Sequence, residues 1–124
     1  MRNINLSTDY ETLSAWWSAQ NWPVIPTDCL PAHGLIIDGL CAGFLYQSDS
    51  KIAWIEWVVG NPSADKLARR AALNLLIDGL AELGKSLGNR IVFTAAKHPG
   101  LCARLIERGF QQTDTQMSHF VRSM

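Results

Sequence analysis

The stretch from Ile52 to Ala95 constrains the fold more than any other part of the chain. "IAWIEWVV", Ile52 to Val59, is a strand-like apolar run that contains a single glutamate. From Ala68 the apolar positions Ala68, Ala71, Ala72, Leu75, Leu76, Leu80, Leu83 and Leu87 return at helical spacing, and Gly88-Asn89 supplies the stop. "RIVFTA", Arg90 to Ala95, then reads as a second buried strand. Two strands joined through a crossing helix are normally parallel neighbours or near neighbours in one sheet, because a tight hairpin can join only antiparallel strands.

The residues before Ile52 ask for the opposite arrangement. Leu35 to Asp38, Ala42 to Gln47 and Ile52 to Val59 are strand-like runs separated by the turn signals Asp38-Gly39 and Ser48-Asp49-Ser50, so an antiparallel meander is expected. The fold class that follows is α/β (α+β), with a mixed and mostly antiparallel sheet. Upstream, Ile4 to Leu6 reads as a first strand, and Thr8-x-x-Glu11 as a capping box opening a helix through about Gln20, with Tyr10, Leu13 and Trp17 on one face. Three prolines between Asn21 and Pro31 forbid regular structure and predict an ordered loop. "HPGLCARLIERGF" predicts a short helix ending at Gly109, and "FQQTDTQMSHFVRSM" one or two closing strands.

With 124 residues, 48% hydrophobic and 18% charged, the chain has the size of one domain with one core, spanning 1–124. Its 11 basic and 11 acidic residues cancel to a formal net charge of +0, so no nucleic-acid or membrane partner is expected and any anion site must be local. Cys29, Cys41 and Cys102 are widely spaced and lack zinc-site spacing, so no metal is expected. Reduced thiols, no signal-peptide pattern and no apolar run near the ~20 residues of a membrane span together predict a cytoplasmic location.

Glu56 is the first candidate site residue. Strand alternation puts it on one face with Trp54 and Val58, where desolvation raises a carboxylate pKa, as a general base for an ammonium substrate requires; the alternative is a strand glutamate paired with a neighbouring cation. The junction "GNPSADKLARR" has two readings as well. Asn61 can cap a helix that starts at Pro62, with Asp65 complementing the dipole. Alternatively the turn stays open until Asp65 or Lys66, and Lys66, Arg69 and Arg70 fall in the first turn, where cations oppose the dipole unless an anion compensates. His98, before Pro99-Gly100, is a turn residue or a proton donor. Five tryptophans are a heavy load, with Trp16, Trp17, Trp54 and Trp57 in close pairs. Adjacent helix positions diverge by about 100° and odd strand spacings alternate faces, so each pair is expected to split between core and surface. The exposed members, with Trp22, would line an acceptor pocket or a homodimer surface.

"LIERGF", Leu105 to Phe110, resembles the Y-E-K-x-G-F ending of the helix after the fifth strand in the GNAT superfamily of acyl-CoA N-acyltransferases. "WIEWVVGNP" is similar to that family's fourth strand with its glutamate and following V-x-P. "SAWWSAQNWP" followed by "LYQSDSKIAWIEWVV" resembles small phage- and prophage-encoded members. The resemblance spans nearly the whole chain. It implies a sheet splayed at its central parallel pair, acetyl-CoA as cosubstrate, transfer to a small-molecule or protein amine, Glu56 as general base, and backbone N–H groups of Val58, Val59 and Gly60 on the thioester carbonyl. It also implies phosphate contacts near Lys66, Arg69 and Arg70. The family's glycine-rich pyrophosphate loop is absent after Pro62, Leu105 stands where a tyrosine often protonates the leaving thiolate, and His98 where an asparagine is frequent. A GNAT-fold binding module that has lost CoA is the alternative expectation.

Overall fold

The hairpin between the strands His33–Ile37 and Cys41–Tyr46 closes where the turn residues require it: Gly39 adopts φ +72, open to glycine and strained for other residues. The computed structural model describes all 124 residues. In chain order it comprises β1 (Arg2–Asn3), α1 (Leu6–Ala19), a 3-10 turn (Thr27–Cys29), β2 (His33–Ile37), β3 (Cys41–Tyr46), β4 (Ile52–Gly60), α2 (Lys66–Ser86), β5 (Ile91–Thr94) and α3 (Pro99–Glu107). The five strands lie in sequence order. β1 through β4 pair antiparallel, and β4 pairs with β5 in parallel over Ile52↔Ile91 to Ile55↔Thr94. The meander and the helical crossover are therefore both present. No helix is long and apolar enough to cross a membrane.

The sheet separates two apolar clusters. On one face Leu13, Trp16 and Trp17 of α1 pack with Ile25, Ile36, Ala42, Phe44 and Val59. On the other, Ala72, Leu76 and Leu80 of α2 pack with Leu35, Cys41, Leu45, Ala53 and Ile55, joined at the margin by Phe110 beyond α3. We call these the α1 face and the α2 face. The α1 face stops short of β5, where Ile91 and Phe93 are exposed.

Several local expectations are corrected. α1 begins at Asn5, not at a Thr8 capping box: the Asn5 side chain accepts from Ser7 N–H, and Asn5 N–H donates to Asp9 Oδ2 at 2.7 Å. Asp9, buried, is also gripped by both terminal nitrogens of Arg2 at 2.7 and 2.8 Å, and Arg2 holds Asp38 as well. The first strand consequently lies at Arg2–Asn3, and Leu6 opens the helix. Trp16 and Trp17 do not split between core and surface; they are 6% and 0% exposed, and Ile25 of the proline-rich loop joins them in the α1-face cluster. The closing segment after Phe110 forms no strand. Residues 111–116 are wholly polar and offer no apolar alternation to bury, so the parallel pair stands at one end of the sheet and not at its centre.

Candidate active site

β4 carries one residue more than β3 can match. Ala42 pairs with Val59 and Phe44 with Glu56, so Trp57 and Val58 together oppose Gly43. This is a β-bulge, and its extra residue is Trp57 at φ +57, a left-handed conformation that costs a non-glycine residue about 1–2 kcal/mol. The bulge resets the alternation. Ala53 and Ile55 belong to the α2 face, which places Trp54 and Glu56 on the α1 face; Trp57 then packs on the α1 face too, and Val58 on the α2 face. The expectation that Val58 shares a face with Glu56, and that Trp54 and Trp57 point apart, is corrected by this one inserted residue.

The bulge begins where pairing with β5 ends. The last parallel register is Ile55↔Thr94, and Thr94 Oγ1 donates to the Ile55 carbonyl at 2.9 Å, closing the ladder with a side chain. From Glu56 to Gly60 β4 has no strand on that side. The backbone of Val58, Val59 and Gly60 therefore borders a gap beyond the end of β5, with no strand paired to it on that side.

Glu56 is half-buried at the mouth of this gap. Its carboxylate takes part in no ion pair, the three present being Arg2–Asp9, Arg2–Asp38 and Arg108–Asp78, and it accepts no hydrogen bond from any protein group. The cross-strand cation of the alternative reading is absent. Burial pushes its pKa up, and the charge of His119 pulls it partly back. Next to it, Trp57 Nε1 donates to Tyr46 Oη at 2.8 Å, and Tyr46 Oη donates to the Cys29 carbonyl at 2.8 Å. Trp22 packs edge-on against Trp57, with ring centroids 6.3 Å apart. A cavity of about 290 Å³ between Ile4, Leu6, Pro31 and Phe44 contains no ionisable lining residue and lies toward β2, apart from Glu56.

The junction after β4 follows the later-starting alternative. α2 opens at Lys66, and Asp65 is its N-cap, accepting from Ala68 N–H at 3.0 Å. Asn61 belongs to the turn instead, accepting from Ser63 N–H and donating through Nδ2 to the Gly39 carbonyl. The three basic residues separate in role. Arg69 lies over Gly60, where an added Cβ would meet its Cδ at 2.7 Å, and its guanidinium donates to the Asn61 carbonyl at 2.9 Å. Lys66 and Arg70 are exposed and form no ion pair.

His98 is the N-cap of α3, its Nδ1 accepting from Gly100 N–H at 3.1 Å. This is the turn role of its two readings. Sequence reasoning missed Tyr46 and the pairing of Trp22 with Trp57. Its only signal was an aromatic at each position, since the bulge that unites them is visible only as a register shift.

No family model matches the chain, and no curated protein matches it in sequence. Solved structures match its fold. A proposed acetyltransferase from Agrobacterium tumefaciens superposes with a TM-score of 0.69 at 16% identity, covering 98% of each chain. An acetyltransferase from Trypanosoma brucei gives 0.65 at 18% identity over 97% of each chain. An aminoglycoside N-acetyltransferase in complex with CoA gives 0.59 at 18% identity, covering 98% of this chain and 93% of that one. The protein is thus a single α/β domain with the fold of GNAT acetyltransferases.

Proposed function

We propose that the protein is an acyl-CoA-dependent N-acyltransferase that transfers an acyl group, most simply acetyl, to a primary amine. One observation carries this: at the point where β4 parts from β5, the next residue is a half-buried carboxylate with no partner in the protein. A carboxylate left unpaired at an opened strand pair is placed to meet a group from outside. The similarity in fold to acetyltransferases, one of them solved with CoA, supports the same choice.

Glu56, ionised, accepts a proton from the substrate ammonium, and its raised pKa improves the match between base and amine near neutrality. The freed amine nitrogen forms a bond to the thioester carbonyl carbon while the carbon–sulfur bond breaks; the acylated nitrogen releases its surplus proton to solvent, and the sulfur leaves with its electron pair and is protonated from solvent. Backbone N–H groups among Val58, Val59 and Gly60 that face the gap stabilise the carbonyl oxygen as it gains charge. Acetyl-CoA supplies the activated acyl group, and Lys66 and Arg70 are the cations free to meet its phosphates.

A second reading is favoured by Asp65. Its carboxylate occupies the start of α2, where a backbone phosphate cradle would otherwise form, and a chain without that cradle would serve as a GNAT-fold binding module. Thermal melting with acetyl-CoA separates the two. Saturation at one hundred times the dissociation constant stabilises the transferase by about 2.7 kcal/mol. The shift should shrink with salt, because exposed charges are screened over ~8–10 Å at 0.1–0.15 M, and should vanish in Arg70→Glu. Asp65→Asn keeps the cap, removes the charge and should enlarge the shift. No shift at millimolar acetyl-CoA, in either the parent or Asp65→Asn, overturns the transferase in favour of the binding module.

A further inference from the structure

The wall beside Glu56 is built from residues far apart in sequence and is held in place with unusual firmness. Trp57 is restrained three times: by the bulge that sets its φ at +57, by its Nε1 bond to Tyr46 at 2.8 Å, and by Trp22 against its ring. Tyr46 is in turn bonded to the Cys29 carbonyl, which pins the 3-10 turn of the proline-rich loop to the sheet. Trp22 is delivered by a sharp reversal after α1, where Asn21 adopts φ +59 and the Trp22 N–H returns to the Trp17 carbonyl at 3.0 Å. It remains 37% exposed although the loop around it is ordered by these bonds. Two indoles crossing at 61° present a face and an edge together, the arrangement that receives an aromatic ring or an ammonium.

Glu56 adds a carboxylate with no ion pair or hydrogen bond in the protein. A monoamine with a flat apolar body meets that carboxylate with its cation and the crossed indoles with its ring. A polyamine or aminosugar has no flat apolar body for the indoles to pack against.

We propose that Trp22 and Trp57 form the acceptor wall of the Glu56 site, and that the amine it takes is an aryl-alkyl monoamine of the phenethylamine or tryptamine kind. Its acylation rests on the transferase proposal, but its binding does not, and the two are measured separately.

Isothermal titration of the full chain with phenethylamine alone, at fixed ionic strength, reads the wall directly; spermidine and kanamycin serve as polycationic comparisons. Phenethylamine should bind at least about 10-fold more tightly than either. Trp22→Ala should weaken it by about 10-fold, the size of one aromatic contact, while Trp22→Phe retains most of the affinity. The thermal shift with acetyl-CoA should be unchanged in both variants. Equal or tighter binding of spermidine or kanamycin, or phenethylamine binding that is indifferent to Trp22→Ala, overturns the wall even where acetyl-CoA binds normally. Selective, Trp22-dependent phenethylamine binding without any acetyl-CoA shift supports the wall and removes only the transferase.

Discussion

The two ends of the sheet are built to different rules. Toward β1, exposed and buried charges are matched: Arg2 ties the buried Asp9 to Asp38 and so fastens strand, helix start and hairpin turn together. Below that clamp Trp17 and Phe44 fill the α1 face without leaving either side chain in solvent. Toward β5 the ladder ends at Ile55, a residue is inserted at the bulge, a tryptophan takes a left-handed backbone, Glu56 has no partner, and Trp54 and Phe93 stack in the open. The first end pairs its charges and buries its aromatics, with only Ser14 Oγ and Trp17 Nε1 left buried without a hydrogen-bond partner. The second leaves over a carboxylate, a stretch of free backbone and an aromatic wall, which are the components a reaction would use.

The contrast is broken most severely at the open end by Glu56→Gln. Turnover of an accepted amine should fall by about 10²–10⁴-fold, the usual contribution of a general base, with the rise of rate with pH removed and the acetyl-CoA thermal shift retained. An unchanged rate at every pH in this folded variant would leave Glu56 without a catalytic role. The closed end should break in stability instead. Trp17→Ala should cost about 3–5 kcal/mol in urea unfolding, as a fully buried tryptophan does, whereas Trp54→Ala should cost about 0.5–1.5 kcal/mol, the worth of an exposed aromatic pair. Similar losses in the two would erase the distinction.

Arg2→Ala should lower the melting temperature at pH 7 and flatten its acid dependence. Arg2 holds the carboxyls of Asp9 and Asp38 below their ordinary value of 3.8, so their contribution is present above that pH and lost as pH falls through the depressed folded values. The smallest expected effect has the opposite sign. Because burial raises the Glu56 pKa in the folded chain, its stabilising contribution is complete below the ordinary 4.5 and lost as pH rises through the folded value. Glu56→Gln should therefore melt slightly above the parent at pH 7, with the difference gone below that ordinary value. A variant less stable than the parent at pH 7 would show that Glu56 has a structural partner after all.

Much of this architecture was legible in the residues because it follows from periodicity and turn chemistry. The leucine spacing from Ala68 marks α2, Gly88 at φ +91 ends it, Gly109 at φ +91 ends α3, and the crossover fixes β5 parallel to β4. Period-2 logic failed at Val58 because a bulge adds a residue without a composition signal; Trp57 occupies a position where glycine would have advertised it. Helix-wheel logic failed at Trp16 because it counts only the sheet as cover for α1, whereas Ile25 of the proline-rich loop adds to the same cluster. Asp65 reads in the sequence as a dipole partner within a helix begun at Pro62 and is instead the N-cap of one that opens at Lys66. The half-buried state of Glu56 follows from the strand pattern, but its lack of a partner depends on long-range geometry that no local pattern encodes.

The stem of Arg69 laid across Gly60 has a mechanical consequence. With its guanidinium anchored on the Asn61 carbonyl, it makes the end of β4 and the start of α2 a single rigid body. Widening of the gap between β4 and β5 must then come from the opposite jaw, the run from Ala95 through α3. That jaw is held to α2 by Arg108–Asp78 and Arg104–Asn74, each at 3.5 Å, partly exposed and individually weak, and by Phe110 at the margin of the α2-face cluster. In the proposed transferase the cleft would work as a one-sided gate, with the proposed base and the proposed phosphate-binding cations on the fixed post and the run from Ala95 through α3 as the swinging leaf. Backbone hydrogen exchange should be slow through Gly60 to Arg70 and fast from Ala95 to Gly100, and a ligand that closes the gate should protect the second segment alone.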